Sequence, residues 1–85
     1  MKLNFYSDPG HGWLAVKRST LIAWGIADLI SIYSYQRGGT VYLEEDCDYS
    51  TFLAAARAKG IELSIVEKHV DSRSPIRSYD HYSKA

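Results

Sequence analysis

The chain has a single cysteine, two prolines and a formal net charge of zero, and each scarcity excludes something. One cysteine closes no internal disulfide. With an N-terminal stretch, MKLNFYSDPGHG, that lacks an apolar leader region, it points to a reducing cytosol. The longest apolar stretch, Leu21–Ile32, is broken by Gly25, Asp28 and Ser31, so no membrane span is expected. Ten basic residues against ten acidic ones leave no general cationic excess for non-specific nucleic-acid binding. Repeats, a phosphate loop, a dinucleotide fingerprint and a Ser-His-Asp order are all missing.

What remains is ordinary globular material: 85 residues, 46% hydrophobic and 24% charged. That suits one small domain over residues 1–82 with a marginal core, and residues 83–85 as a frayed end. The zero charge hides a pattern. Residues 1–43 sum to +2, residues 44–48 to −4 and residues 49–85 to +2. The only concentrated charge is therefore the run Glu44-Glu45-Asp46-Cys47-Asp48.

The stretch around that run organises the chain. Ile30–Tyr35 alternates Ile30, Ile32 and Ser34 with Ser31, Tyr33 and Tyr35, which predicts a strand. Gly38-Gly39 supplies the turn of a tight hairpin, and Thr40–Leu43 returns with Val41 and Leu43 on one face. Tyr33 or Tyr35 is expected opposite Tyr42. Asp48 is then the expected N-cap of a helix over Tyr49–Lys59, whose Tyr49, Phe52, Leu53 and Ala56 form one apolar stripe, with Gly60 as its stop.

On either side, Lys2–Tyr6 and Trp13–Val16 predict a first hairpin around the breaker-dense turn Ser7–Gly12. Ser19 is the expected cap of a short helix over Thr20–Trp24, closed by Gly25, with Leu21 and Trp24 against the sheet. Ile61, Leu63 and Ile65 alternate as the inward face of a strand that Val66–Val70 extends. Ser74-Pro75 is a helix-start signal for Ile76–Tyr82, with Ile76, Tyr79 and Tyr82 as the packing side. The expected fold is α+β: about five mostly antiparallel strands with the helices on one face.

The phrases HGWLAV, ISIYSY, VYLEEDCD and SPIRSYDHY, in that order, resemble a family of short uncharacterised proteins carried by bacteriophages and mobile elements. The resemblance runs from about His11 to Tyr82. It brings no functional residues and implies only a setting: a bacterial cytoplasm, and a small accessory protein that binds a host or defence component.

Several constellations bear on chemistry. Cys47 sits near a helix start, which lowers a thiol pKa, but between Asp46 and Asp48, which raise it. His11 and Asp8 share a loop as a conceivable acid–base dyad, against the plainer reading of a surface histidine. His69 and His81 lack metal-ligand spacing, and the acidic run lacks the glycine and terminal glutamate of a calcium loop. That run is a solvated helix cap, a patch for a basic partner surface or, least favoured, a divalent-cation site at which two or three carboxylates converge. The tail from Arg73 to Tyr82 interleaves cations and aromatics, the residues that dominate interface hot spots. Its plainer reading docks Ile76 and Tyr79 on the sheet with Arg77 paired to the acidic run.

The reading these observations favour is a non-enzymatic binding protein, without metal or cofactor, that occupies the surface of a host or defence protein. An inhibitor of a bacterial defence complex, of the anti-CRISPR kind, is one concrete form. Its expected contact residues are Glu44, Glu45 and Asp46 together with Arg73, Arg77, Tyr79 and Tyr82. The alternatives are a small nucleic-acid-binding regulator using Lys17, Arg18, Arg37, Arg73 and Arg77, and a small enzyme using Cys47 or His11.

Overall fold

The computed structural model describes residues 1–84. Strands β1 (Lys2–Ser7) and β2 (Gly12–Lys17) form the expected hairpin, with Phe5 opposite Leu14 and Tyr6 opposite Trp13. Helix α1 (Arg18–Ala23) follows directly, and β3 (Tyr35–Arg37) and β4 (Thr40–Glu44) close on Gly38-Gly39. Only Gly38 of that pair has a positive φ, +58°, the sign pattern of a type II′ turn, whose twist matches that of the flanking strands. Helix α2 (Asp48–Ala58), β5 (Ser64–His69), a 3-10 turn at Pro75–Ser78 and a two-residue β6 (Asp80–His81) complete an α+β domain.

The sheet has six strands in the order β5-β1-β2-β4-β3-β6. Every pairing is antiparallel except β1 with β5, where Leu3 lies beside Ile65 and Ser7 beside His69. That parallel contact is a consequence of α2, which carries the chain back over the sheet before β5 begins. Both helices cover the face that presents Leu14, Val16, Val41 and Leu43, and these four pack with Leu21 of α1 and Phe52 of α2. Trp24 stacks on Phe52 with ring centroids 4.7 Å apart, so the two helices meet through aromatic rings. Each helix ends in a Schellman pair: Gly25 N to Ile22 O with Ile26 N to Leu21 O, and Gly60 N to Arg57 O with Ile61 N to Ala56 O.

Five local expectations are corrected. Ile30–Ser34 is a loop, not a strand, and β3 begins only at Tyr35. Asp48 is the first helical residue rather than the N-cap, and Ser19 lies inside α1, which Lys17 precedes as N-cap. The predicted helix over Ile76–Tyr82 is one 3-10 turn followed by the edge strand β6, because Tyr79 is already extended. Finally, Ile65 is 36% exposed: β5 is an edge strand without a helix over it, so its alternation does not mark a buried face. The end expected to fray is tied down at Ser83, whose N–H donates to Gln36 Oε1 at 2.8 Å, and at Lys84, which pairs with Asp28; Ala85 lies outside the described residues.

Candidate recognition cleft

The helix-free face of the sheet is aromatic because β2, β3 and β4 alternate. The residues opposite the core set are Trp13, Tyr35 and Tyr42, joined by Tyr6 of β1. The C-terminal segment folds across this face. Ile76 is buried there, Tyr79 packs on Tyr42 at 5.2 Å, and the Arg37 guanidinium lies 4.9 Å from the Tyr79 ring centre. Trp13 meets Tyr35 edge-on at 6.2 Å and is capped by Arg77 at 5.7 Å. These rings are walls held at fixed spacing, not a fluid layer.

Asp8 holds the segment in place. Its Oδ1 accepts from Gly10 N, His11 N and Arg77 Nη2, and its Oδ2 from Ser74 N and Arg77 Nε. The Arg77 guanidinium, then these backbone N–H groups, hold the carboxyl far below the usual carboxylate range. Arg77 therefore pairs with Asp8 and not with the acidic run. The His11–Asp8 dyad does not form either: Asp8 takes the backbone N–H of His11, while the imidazole lies beside Trp13 at 6.1 Å.

Where β4 passes into α2, the acidic run splits into two buried and two exposed carboxylates. Asp48, 3% exposed, turns away from the surface. It accepts from the Ser31 backbone N–H at 3.1 Å, from the Ser31 hydroxyl at 2.7 Å and from the Ser34 hydroxyl. Ser34 Oγ in turn receives the Glu44 N–H at 2.9 Å. These bonds pin the loop 30–34 to the start of α2. The loop presents Ile32 and Tyr33 outward, 69% and 65% exposed. Glu44, 9% exposed, accepts from Asp46 N and Cys47 N through Oε2 at 3.1 and 3.0 Å, which satisfies two N–H groups at the helix mouth. Glu45 and Asp46 face solvent.

Between the Tyr33 loop, the acidic turn and Arg77 lies a cleft of about 360 Å³, lined by His11, Trp13, Tyr33, Tyr35, Glu44, Asp46, Cys47 and Arg77. Of the expected contact residues it gathers Glu44, Asp46 and Arg77; exposed Glu45, next in the chain, is not on its wall and carries its carboxylate toward Gly12. Arg73 is exposed elsewhere on the tail, and Tyr79 belongs to the aromatic face. Tyr82 is a correction: it is 5% exposed, packs in the core and donates its hydroxyl to Ala27 O. The cations of the nucleic-acid alternative are dispersed. Arg77 is on Asp8, Arg37 on Tyr79, and Arg18 donates to Ser83 O and Gln36 Oε1.

Cys47 and His11, far apart in sequence, line the same cleft. The thiol is pushed up by partial desolvation and then by Glu44, with smaller contributions from Asp48 and Asp46, so the neutral form dominates near pH 7. In the sequence Tyr33 reads as a strand residue and Asp48 as a cap, and the one legible signal of the Asp48–Ser31–Ser34 network is a serine pair spaced three apart before a hairpin. Among the described residues no group of three His, Cys, Asp or Glu side chains is placed to hold a metal ion, and no helix is long and apolar enough to cross a membrane. No family model, curated protein or solved structure matches the chain.

Proposed function

We propose that this is a small non-enzymatic binding protein that works by occupying a partner protein's surface, with the Ile32–Tyr33 loop and the Glu45–Asp46 turn as the contact. One observation carries the reading. Two large apolar side chains stand about two-thirds exposed on a loop that hydrogen bonds to the buried Asp48 hold in place. An exposed apolar tip costs solubility and gains nothing for folding, so its rigid presentation suits recognition. Tyrosine beside carboxylates is also the composition of a hot spot with a charged rim. The resemblance to bacteriophage and mobile-element proteins supplies the setting, a bacterial host or defence protein, with inhibition of a defence complex as the concrete form.

The test uses the tagged full chain in lysate of the bacterial host, with captured species identified by mass spectrometry and then purified for direct binding. We predict that Tyr33→Ala and the double reversal Glu45→Lys/Asp46→Lys each weaken capture at least tenfold while circular dichroism is unchanged. Full binding by both folded variants to the same purified partner would remove this surface from the reading.

A further inference from the structure

The cleft behind the tip has a more specific chemistry than the tip itself. Glu44 is nine-tenths buried, and its Oε2 is occupied by the two helix-mouth N–H groups. Its other oxygen, Oε1, has no N–H or O–H partner among the described residues and is open to solvent, the Cys47 thiol hydrogen-bonds to the carboxylate, and Glu44 makes no ion pair there. A carboxylate in a partly desolvated wall without a counter-ion leaves a favourable place for a cation. The second carboxylate on the cleft is Asp46, which is exposed and likewise without an ion pair among the described residues. The one cation on the wall, Arg77, is neutralised by the bidentate Asp8. Counting Glu44, Asp46 and Asp8 against Arg77, the cleft is formally −2 with His11 neutral.

The remaining walls are aromatic: Trp13, over which Arg77 already lies, Tyr35, which stacks on His81 on one side, and the exposed Tyr33. A ring face attracts a cation, and a planar one stacks on it best. A volume of about 360 Å³ lies in the range of small-ligand sites and admits one long side chain. Carboxylates and aromatic rings lining one cleft match a guanidinium, which takes bidentate acceptors in its plane and aromatic rings above it. A lysine ammonium uses the charge but not the planes.

We infer that this cleft receives the side chain of an arginine on the partner protein, with Glu44 and Asp46 meeting the guanidinium and Tyr33 and Tyr35 flanking it. The inference rests on the binding reading above but can fail separately, because its probe needs no partner.

The experiment titrates the full, isotopically labelled chain with N-acetyl-arginine methylamide and follows amide and indole resonances by NMR. Matched titrations use the lysine and citrulline analogues. The expected result is saturable shifts confined to Trp13, Tyr33, Tyr35, Asp46 and Cys47, with an apparent Kd on the order of millimolar for one anchoring residue. Citrulline, which keeps the shape without the charge, should bind about tenfold more weakly, and lysine should fall between. Glu44→Gln keeps an acceptor for both helix-mouth N–H groups and should weaken arginine binding about tenfold. If that variant's spectrum shows it unfolded, exposed Asp46→Asn serves instead, with a several-fold loss expected. Equal shifts from citrulline, or unsaturable shifts spread over all acidic residues, would overturn the anchor. If partner capture is then still lost in Glu45→Lys/Asp46→Lys, the binding reading stands without it; if capture also persists, both readings fall.

Discussion

Asp8 and Arg77 stand 69 positions apart and are joined side by side, Nε to Oδ2 at 2.7 Å and Nη2 to Oδ1 at 2.8 Å. The pair fastens the β1–β2 turn to the 3-10 turn and thereby lays the C-terminal segment over the aromatic face. It also removes from play the one Lys or Arg that lines the cleft among the described residues. One bidentate contact thus fixes the architecture of that face and sets the sign of the cleft's charge.

A pH dependence follows. Asp8 is held below its unfolded value, near 4, so folding favours its ionised form. The stability it contributes is fully present above pH 5, and is lost progressively as pH falls through the unfolded value toward the depressed folded one. We predict that urea midpoints of the wild type fall more steeply between pH 5 and pH 2 than those of Asp8→Asn, so that the gap between them narrows with acid. A gap that stays constant over that interval would mean the pair contributes nothing through ionisation.

Much of the fold is legible in local pattern, and the exceptions share a cause. The β1–β2 hairpin, the Gly38-Gly39 turn, the Tyr35–Tyr42 pair and the apolar stripe of α2 all follow from alternation, helical spacing and turn chemistry within a dozen residues. Ile30–Tyr35 alternates just as well, yet its first half is a loop. A buried carboxylate, Asp48, lies 17 positions after Ser31 and 14 after Ser34 and supplies acceptors to both, which satisfies that loop outside a ladder. The parallel β1–β5 pairing and the Asp8–Arg77 bond are more remote still, joining residues more than 60 positions apart. For the same reason the acidic run reads as one patch in sequence, whereas the fold turns Asp48 and Glu44 inward and leaves Glu45 and Asp46 outside. The residue that completes the cleft, Tyr33, looked like a strand residue and carried no signal of exposure.

The Asp48 network gives a second prediction. Removing its acceptors leaves the Ser31 N–H and two hydroxyls without partners in a buried place, so Asp48→Ala should cost about 3 kcal/mol of unfolding free energy. Ser31→Ala, which keeps the backbone bond, should cost about 1 kcal/mol. A simple N-cap would give the smaller loss for Asp48→Ala and leave the Tyr33 loop ordered. Chemical denaturation measures the first quantity and backbone amide order parameters at Ile32 and Tyr33 the second; both should drop together.

The last prediction concerns Cys47, on which an enzymatic reading would depend. The side chain is exposed, so access does not limit its reaction. Partial desolvation and the Glu44 carboxylate nevertheless push its pKa up, and the thiolate is the reactive species. Iodoacetamide should therefore alkylate Cys47 several-fold more slowly at pH 7 than it alkylates an unstructured cysteine peptide, with the rate still climbing above pH 9. Glu44→Gln removes the charge that contributes most after desolvation and should speed the reaction at pH 7, whereas Asp46→Asn should speed it less. A wild-type rate at neutral pH equal to or above that of the peptide would instead mark an activated thiol, and would move Cys47 with His11 from the wall of a binding cleft to the centre of a catalytic one.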